Sequence, residues 1–232
     1  MEQRRREDRL PARIRALIYD FDNTIVGTET LNEDLFFSLL ENEFDARLTP
    51  AERETLHGLP WSGVFDWLAG HTGLESGRPA IWARFLEVKR ASLRRRPPAV
   101  ATGLERMLEL PIRQAIVTGS SREELDMVME AIGMSERPFA AVLCDEDCAR
   151  SKPDPEGYLR ALERLQVSAE EALVFEDSRP GIAAARMAGI TVAFISELAS
   201  RDRGADADVR FRDFTEAWEA VRVRIDLAPP LW

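Results

Sequence analysis

Two carboxylates and a hydroxyl follow the first apolar run of the chain. The run from Ile14 to Tyr19 predicts a short buried strand, and Asp20, Asp22 and Thr24 follow it at alternate positions. In open α/β sheets the ligand crevice lies outside the carboxyl ends of the strands. Alternation would turn Asp20 and Asp22 to the same side, where one carboxylate can bind a hard cation or attack an electrophile and the other can move a proton.

A second strand-to-helix turn carries hydroxyls and small residues. The predicted strand Ala115 to Thr118 continues into Gly119, Ser120 and Ser121. Backbone N–H groups and hydroxyls at such a turn can bind phosphate oxygens. A serine there can equally serve as the N-cap of the next helix. Both interpretations stay open at this point.

A lysine and two adjacent acids occupy two further turns. Lys152 lies in a loop of prolines and acids, where it could neutralise a phosphoryl group or hold a nucleophile as an anion, although a single lysine is more often exposed. Glu176 and Asp177 end a predicted strand and open a helix, a place that the helix dipole also favours for acids. With Asp20 and Asp22 they would give a cation an all-oxygen site, as Mg²⁺ prefers.

Strands and helices alternate over most of the chain. Apolar runs predict strands at 14–19, 115–118, 140–144, 172–175, 190–195 and near Val209, separated by amphipathic helices. This order predicts an α/β fold with a doubly wound parallel sheet. Residues 28–98 have helical spacing throughout and end in a double proline, so we expect an inserted all-helical domain at 28–98 and a catalytic α/β core domain at 1–27 and 99–232. Trp61, Trp67 and Trp82 are expected in the core of the insert.

Composition narrows the classes of partner and compartment. The 232 residues carry a formal net charge of −10, which argues against nucleic acid or an anionic membrane as the main partner. The two cysteines, Cys144 and Cys148, are too few for a disulfide scaffold and indicate thiols in a reducing cytoplasm rather than a metal site. No apolar run has the roughly 20 residues that span a bilayer, and no secretory signal is evident, so a cytoplasmic protein is expected.

Four segments together resemble the motifs of the haloacid dehalogenase (HAD) superfamily, in the same order and context. They are Asp-Phe-Asp-Asn-Thr at 20–24, Ile-Val-Thr-Gly-Ser-Ser at 116–121, Ser-Lys-Pro-Asp-Pro at 151–155, and Val-Phe-Glu-Asp-Ser-Arg-Pro-Gly-Ile-Ala-Ala-Ala at 174–185. The resemblance covers about residues 14–195 and implies a HAD-like, Rossmannoid core. The all-helical insert resembles the cap of the phosphatase and β-phosphoglucomutase branch. Most members of the superfamily are Mg²⁺-dependent phosphatases.

The resemblance implies a catalytic role for each of four residues. Asp20 would attack phosphorus and form an aspartyl-phosphate. Asp22 would protonate the leaving alcohol and then activate the water that hydrolyses the intermediate. Thr118, with the backbone amides that follow it, would hold the phosphoryl oxygens. Lys152 would balance charge between Asp20 and the phosphate.

The resemblance also implies the ligand sets. The phosphate-binding residues would be Thr118, Gly119, Ser120 and Lys152. The Mg²⁺ ligands would be Asp20, the backbone carbonyl of Asp22 and Asp177, with Glu176 either a direct ligand or a partner of one. A carboxylate approaches an anionic phosphate only when a cation and fixed donors cancel their repulsion, which agrees with these sets.

The expected function is a phosphatase acting on a small phosphorylated metabolite, in particular a sugar phosphate, as a monomer or weak homodimer. The alternative enzyme is a hexose-phosphate mutase of the β-phosphoglucomutase type, which would return the phosphoryl group to sugar. A non-catalytic binding module would be expected to lack a motif acid, and none is missing. Dehalogenase and phosphonatase activities are disfavoured, because Asp22 is present and Lys89, the one lysine of the insert, lies late in its last helix.

Three positions depart from the usual pattern of the family without removing a catalytic group. Asn23 stands where glycine is commonest in the family, and Gly27 stands where many relatives have an acid. Ser151 stands where a glycine usually precedes the lysine. The segment 57–61 aligns with the cap loop that reads the substrate, but no basic residue follows its glycine, so a clamp for a second phosphate is disfavoured. His57 could face the active site or be packed or exposed.

Overall fold

Six parallel strands form one sheet in the order β3-β2-β1-β4-β5-β6. The structure is a computed structural model, and it describes residues 9–56, 59, 61–72, 77–136, 138–199 and 204–225. The predicted doubly wound α/β fold is confirmed. The strands are β1 (Ala16–Tyr19), β2 (Arg113–Val117), β3 (Ala141–Leu143), β4 (Ala172–Glu176), β5 (Thr191–Ile195) and β6 (Val209–Phe211).

Strand β1 lies in the centre of the sheet and pairs with β2 on one side and with β4 on the other. All four of its residues are fully buried, as are the central residues of β4. Strands covered on both faces are continuous apolar runs, which explains why these runs were visible in the sequence. The chain winds outward from β1 to β3 in one direction and from β4 to β6 in the other, so the topological switch point lies between β1 and β4.

Helices cover the sheet. The helices of this unit are α5 (Leu104–Leu108), α6 (Arg122–Ile132), α7 (Glu156–Leu165), α8 (Arg179–Met187) and α9 (Phe214–Val221). One face of the sheet packs against α7 and α8, whose apolar side chains join Ala16, Ile18, Ala172 and Val174 in one buried cluster. The opposite face carries Tyr19, whose ring contacts those of Phe139, Phe175 and Phe214. Side-chain alternation along β1 thus supplies both layers of the core.

The chain divides into two compact units, Met1–Gly27 with Ala99–Trp232, and Thr28–Pro98. The helices of the second unit are α1 (Glu29–Glu43), α2 (Pro50–Leu56), α3 (Trp61–Thr72) and α4 (Arg78–Arg95). Helix α2 begins with a capping box, since Thr49 and Glu52 exchange hydrogen bonds around its first turn. The role of this unit as a cap remains a prediction.

An aromatic cluster packs the helical unit. The ring of Phe36 lies 4.9 Å from that of Trp61 and 5.5 Å from that of Phe85, and Trp82 contacts Trp61 at 5.2 Å. Trp61 and Trp82 are half-buried and pack into this aromatic cluster rather than being enclosed by it. Trp67 is half-buried and stacks on the ring of His71 at a centroid distance of 4.0 Å.

Both ends of the helical unit leave the sheet-bearing unit through a short two-stranded ribbon. The amide of Gly27 donates to the carbonyl of Ala99, and the amide of Ala101 donates to the carbonyl of Ile25, each at 2.9 Å. Val26 and Val100 form an antiparallel bridge between these bonds. Among the described residues, no helix combines the length and the apolar character needed to cross a bilayer.

Candidate active site

Three carboxylates meet at the carboxyl ends of β1 and β4, the two strands at the switch point. Asp20 follows β1 directly, and its amide donates to the carbonyl of Phe175 on β4 at 2.9 Å. Glu176 is the last residue of β4, and Asp177 follows it. One carboxylate oxygen from each of Asp20, Glu176 and Asp177 lies within 4.8 Å of the others, and all three side chains are buried. Parallel strand ends thus bring together acids that are far apart in sequence.

Lys152 places its ammonium between two of these acids. The Nζ atom donates to Asp20 Oδ1 at 2.6 Å, to Glu176 Oε1 at 2.7 Å and to the carbonyl of Val117 at 3.1 Å. Only 16% of the Lys152 side chain is exposed, so the interpretation as an exposed lysine was wrong. Burial acts to lower the pKa of Lys152, but the charges of Asp20 and Glu176 outweigh it and raise that pKa well above its usual value.

Both oxygens of Glu176 are occupied by hydrogen bonds. Oε1 accepts from Lys152 and, at 2.8 Å, from the hydroxyl of Tyr158. Oε2 accepts from the amides of Asp177 and Ser178 and from the Ser178 hydroxyl, each at 3.0 Å. Helix α8 also approaches this carboxylate so closely that a Cβ atom on Gly181 would overlap it. A side chain held by five donors has little freedom to turn towards a cation.

Asp22 lies beside the second predicted turn. Its Oδ2 atom accepts from the Ser120 hydroxyl at 2.7 Å and from the Thr118 hydroxyl at 3.3 Å. Ser121, by contrast, caps helix α6 through a reciprocal pair of bonds with Glu124. The N-cap interpretation therefore applies to Ser121, whereas Ser120 turns towards Asp22, and phosphate binding at this turn stays a prediction.

The backbone of the same turn offers one donor to a ligand. The amides of Ser120, Ser121 and Arg122 donate to Thr118, Glu124 and Glu146 respectively. The Gly119 amide has no acceptor within the described part of the chain. Gly119 is exposed, and no atom lies within 4 Å of a Cβ built on it. An anion could therefore approach Gly119 without displacing any side chain.

Three of the described residues depart from the family pattern, and the structure explains the departure at Asn23. Asn23 has a φ of 58°, in the left-handed region where glycine is favoured and asparagine is the best-tolerated substitute. A Cβ on Gly27 would only reach ordinary contact, 3.6 Å from Leu198, so the backbone does not require glycine there. Ser151 donates to Asp145 at 2.8 Å. His57 lies outside the described residues.

The donor set suits a divalent cation. Three buried carboxylates face one buried ammonium, which leaves an excess of negative charge away from water. Burial raises the pKa of Asp20 to about 7, and the charge of Glu176 adds to that rise while Lys152 opposes it. Oxygen ligands and uncompensated negative charge are what Mg²⁺ prefers. Both oxygens of Glu176 already accept hydrogen bonds, so this carboxylate would have to give up donors to bind a cation.

Sequence reasoning missed two residues of this site. Tyr158 was visible only as part of the apolar stripe of α7, and Gly181 only as a member of the fourth motif. The hydroxyl of Tyr158 donates to the Glu176 carboxylate, and glycine at position 181 leaves room for that carboxylate. Their spacing in sequence gives no sign of this, because the bond from Tyr158 to Glu176 joins two different elements.

Fold and site together define an α/β protein with a cluster of buried acids at the switch point of its parallel sheet. The chain belongs to the haloacid dehalogenase-like hydrolases, because the family model of that description matches residues 17–195. It is 30% identical to protein CbbY of Rhodobacter capsulatus, over 88% of this chain and 95% of that protein.

Other relatives are named for phosphatase activity. The chain is 26% identical to validoxylamine A 7'-phosphate phosphatase of Streptomyces hygroscopicus subsp. limoneus, over 86% of this chain and 93% of that one. It is 28% identical to the phosphorylated carbohydrates phosphatase of Thermotoga maritima, over 75% and 82%. The crystal structure of CbbY from Rhodobacter sphaeroides in complex with phosphate has a TM-score of 0.75 at 24% identity, covering 88% of this chain and 96% of that one. This structural likeness concerns the fold.

Proposed function

We propose that this protein is a Mg²⁺-dependent phosphatase that hydrolyses a small phosphorylated metabolite, in particular a sugar phosphate, through an aspartyl-phosphate. The observation that carries the proposal is the position of Asp20. Its carboxylate lies at the switch point of the sheet, with Oδ1 2.6 Å from the buried Lys152 ammonium and beside two further acids. Relatives named as phosphatases of phosphorylated carbohydrates and of a 7'-phosphate support the substrate class.

The first half of the reaction forms the intermediate. An oxygen of Asp20 attacks phosphorus as the bond from phosphorus to the leaving oxygen breaks, and Asp22 gives that oxygen a proton. Lys152 and the Gly119 amide donate to the phosphoryl oxygens, which lowers the repulsion between the nucleophile and its target. Asp20, Asp177 and the Asp22 carbonyl would hold Mg²⁺, which would supply further positive charge next to the phosphoryl group.

The second half releases phosphate. Asp22, now ionised, takes a proton from water as the water oxygen attacks phosphorus, and the bond to Asp20 breaks. Free phosphate leaves and the Asp20 carboxylate is restored. Ser120 and Thr118 donate hydrogen bonds to Asp22 Oδ2. These bonds keep the carboxyl group in the same position for both proton transfers.

Replacing the nucleophile tests this proposal. Asp20→Asn should abolish release of phosphate from p-nitrophenyl phosphate, since an amide does not form the acyl phosphate, while the melting temperature stays close to that of the wild type or rises. Glu146→Gln is a matched control, because Glu146 is an acid in the turn after β3 and accepts a hydrogen bond from the Arg122 amide. Turnover that persists in Asp20→Asn would refute the nucleophile assignment.

A second assay separates phosphatase from mutase. β-Glucose 1-phosphate is supplied with a bisphosphate primer, and the products are followed by free phosphate and by glucose 6-phosphate. A phosphatase releases phosphate from its substrate, whereas a mutase yields glucose 6-phosphate with little free phosphate. A screen of phosphorylated metabolites would then identify the preferred sugar phosphate.

A further inference from the structure

Tyr158 is a buried polar residue next to the site that the reaction above does not use. Its side chain is 1% exposed and lies on α7, at the face that packs against the sheet. The hydroxyl donates to Glu176 Oε1 at 2.8 Å, and the ring centroid lies 5.2 Å from the Lys152 ammonium. Tyr158 therefore contacts both the acid and the lysine of the cluster.

Alternation along β4 explains why this contact forms. Ala172 and Val174 face the layer of α7 and α8, so Glu176, two residues further on, turns to the same layer. Helix α7 begins four residues after Lys152, so the bond from Tyr158 to Glu176 ties the lysine loop to the end of β4. The distance between Lys152 and Asp20 thus depends on a bond made by neither residue.

The shared oxygen gives this bond a definite consequence. Lys152 and Tyr158 both donate to Glu176 Oε1, and Lys152 also donates to Asp20. The phenol offsets part of the charge on Oε1, so that the ammonium is not drawn away from Asp20 towards Glu176. Without the hydroxyl, a buried oxygen would lose one of its two donors in a place that water does not readily reach.

We propose that Tyr158 is a positioning residue, whose hydroxyl fixes Glu176 and thereby keeps the Lys152 ammonium against Asp20. In this arrangement Glu176 acts as the centre of a hydrogen-bonded network rather than as a metal ligand. This inference rests on the phosphatase activity proposed above. It adds to that proposal a residue that touches neither substrate nor metal.

The test is Tyr158→Phe, which removes the hydroxyl and keeps the ring. We expect kcat for p-nitrophenyl phosphate to fall about tenfold, in line with the loss of a hydrogen bond to a charged group. The concentration of Mg²⁺ that gives half-maximal activity should change by less than about twofold, since the metal ligands are untouched. A large loss of Mg²⁺ affinity with unchanged kcat would overturn the inference.

The chain offers a matched control in Tyr19, the second of its two tyrosines. Tyr19 is also fully buried, and its hydroxyl donates to Gln114 Oε1 at 2.9 Å, on the opposite face of the sheet. Tyr19→Phe should lower the melting temperature about as much as Tyr158→Phe but leave kcat within about twofold of wild type. Equal losses of kcat in both variants would reduce Tyr158 to a structural role and contradict the proposal.

A second readout does not depend on turnover. Protein labelled with 3-fluorotyrosine has two ¹⁹F signals, which Tyr158→Phe and Tyr19→Phe assign. Addition of Mg²⁺ and then inorganic phosphate should shift the Tyr158 signal and leave the Tyr19 signal in place. If the wild type lacks phosphatase activity but the Tyr158 signal still responds, the positioning role stands and the proposed function fails. If the wild type is active and neither signal moves, the positioning role fails alone.

Discussion

At the scale of single residues, the site is a set of buried charges whose partners decide their roles. Asp20, Glu176 and Asp177 share one functional group, and the two oxygens of Glu176 accept hydrogen bonds from five donors. Asp22 differs again, because it is partly exposed and held by two hydroxyls. The motifs identify these four acids, and their different hydrogen bonds are consistent with the different roles that we propose for them: nucleophile, proton carrier, metal ligand and centre of a hydrogen-bonded network.

Thr24 is a residue of the first motif with an unused polar group. Its side chain is fully buried, and its hydroxyl is one of the buried side-chain atoms without a hydrogen-bond partner in the described part of the chain. Replacing it by valine removes that hydroxyl and keeps the branched shape. We expect Thr24→Val to raise the free energy of unfolding by about 1 kcal/mol, measured by urea titration, with kcat unchanged.

Thr102→Val is the comparison for this prediction, because the Thr102 hydroxyl donates to Glu197. That variant should lose rather than gain stability, by about 0.5 kcal/mol at an exposed position. If Thr24→Val is instead destabilised and loses activity, the hydroxyl has a partner during the reaction, and the motif threonine is more than a core residue.

At the scale of elements, the strands and helices follow from local sequence, whereas the contacts of the site do not. Apolar runs predicted all six strands. Thr49 and Pro50 lie at the start of α2, where such residues are favoured, and Gly133 ends α6 with a φ of 67°. These signals lie within a few residues of the structure they specify. The bond from Ser120 to Asp22 joins residues 98 positions apart, so the periodicity of either segment carries no information about it.

The sequence also indicates which acids lie close together, but not which of them would bind the metal. The family resemblance predicted that Asp20, Glu176 and Asp177 would meet, and the structure places them together. It left open whether Glu176 binds metal, because the answer depends on donors contributed by α7 and by the turn before α8. Tyr158 fits equally well as a purely apolar residue of its helix, so its hydroxyl could not be assigned a partner from spacing alone.

Helix α8 depends on glycine at the point where it passes the acid cluster. A Cβ at position 181 would overlap the Glu176 carboxylate, so Gly181→Ala should displace that carboxylate and with it Lys152. We expect a loss of about 1–3 kcal/mol of stability, as for overpacked cores, together with a strong fall in kcat. Thermal unfolding and steady-state kinetics measure the two effects.

Gly70 provides the contrast, since it also lies in a helix but has no atom within 4 Å of its Cβ position. Gly70→Ala should leave kcat unchanged and stabilise the protein by up to about 1 kcal/mol through better helix propensity. Normal activity in Gly181→Ala would show that the Glu176 carboxylate can move without consequence, and would contradict its role as the centre of the network.

At the scale of the whole molecule, the crowded acids set how stability depends on pH. The pKa of Asp20 is raised to about 7 in the folded protein, above its value in an unfolded chain. Between about pH 4 and pH 7 the folded state therefore holds a proton that the unfolded state has lost. Stability from this group is present at low pH and is lost as pH rises through the folded pKa.

The raised pKa of Asp20 predicts that the metal-free protein becomes less stable as the pH rises. In EDTA, the free energy of unfolding should fall by up to about 2 kcal/mol between about pH 5.5 and pH 8, because ionised Asp20 remains buried beside Glu176. Mg²⁺ should restore more stability at the higher pH, since it binds the ionised carboxylate. Asp20→Asn should abolish this part of the pH dependence. Equal slopes in both proteins would contradict the raised pKa.

The paired connection at Gly27 and Ala99 has a consequence for how such a protein can diversify. The chain leaves the sheet-bearing unit at Gly27 and returns at Ala99, and these two residues are hydrogen-bonded neighbours. The 71 residues of Thr28–Pro98 are therefore an insertion whose two ends lie next to each other. Insertion, deletion or exchange of that stretch would leave the register of the six strands as it is. Selection could therefore vary the helical unit freely while the phosphorus chemistry is inherited intact.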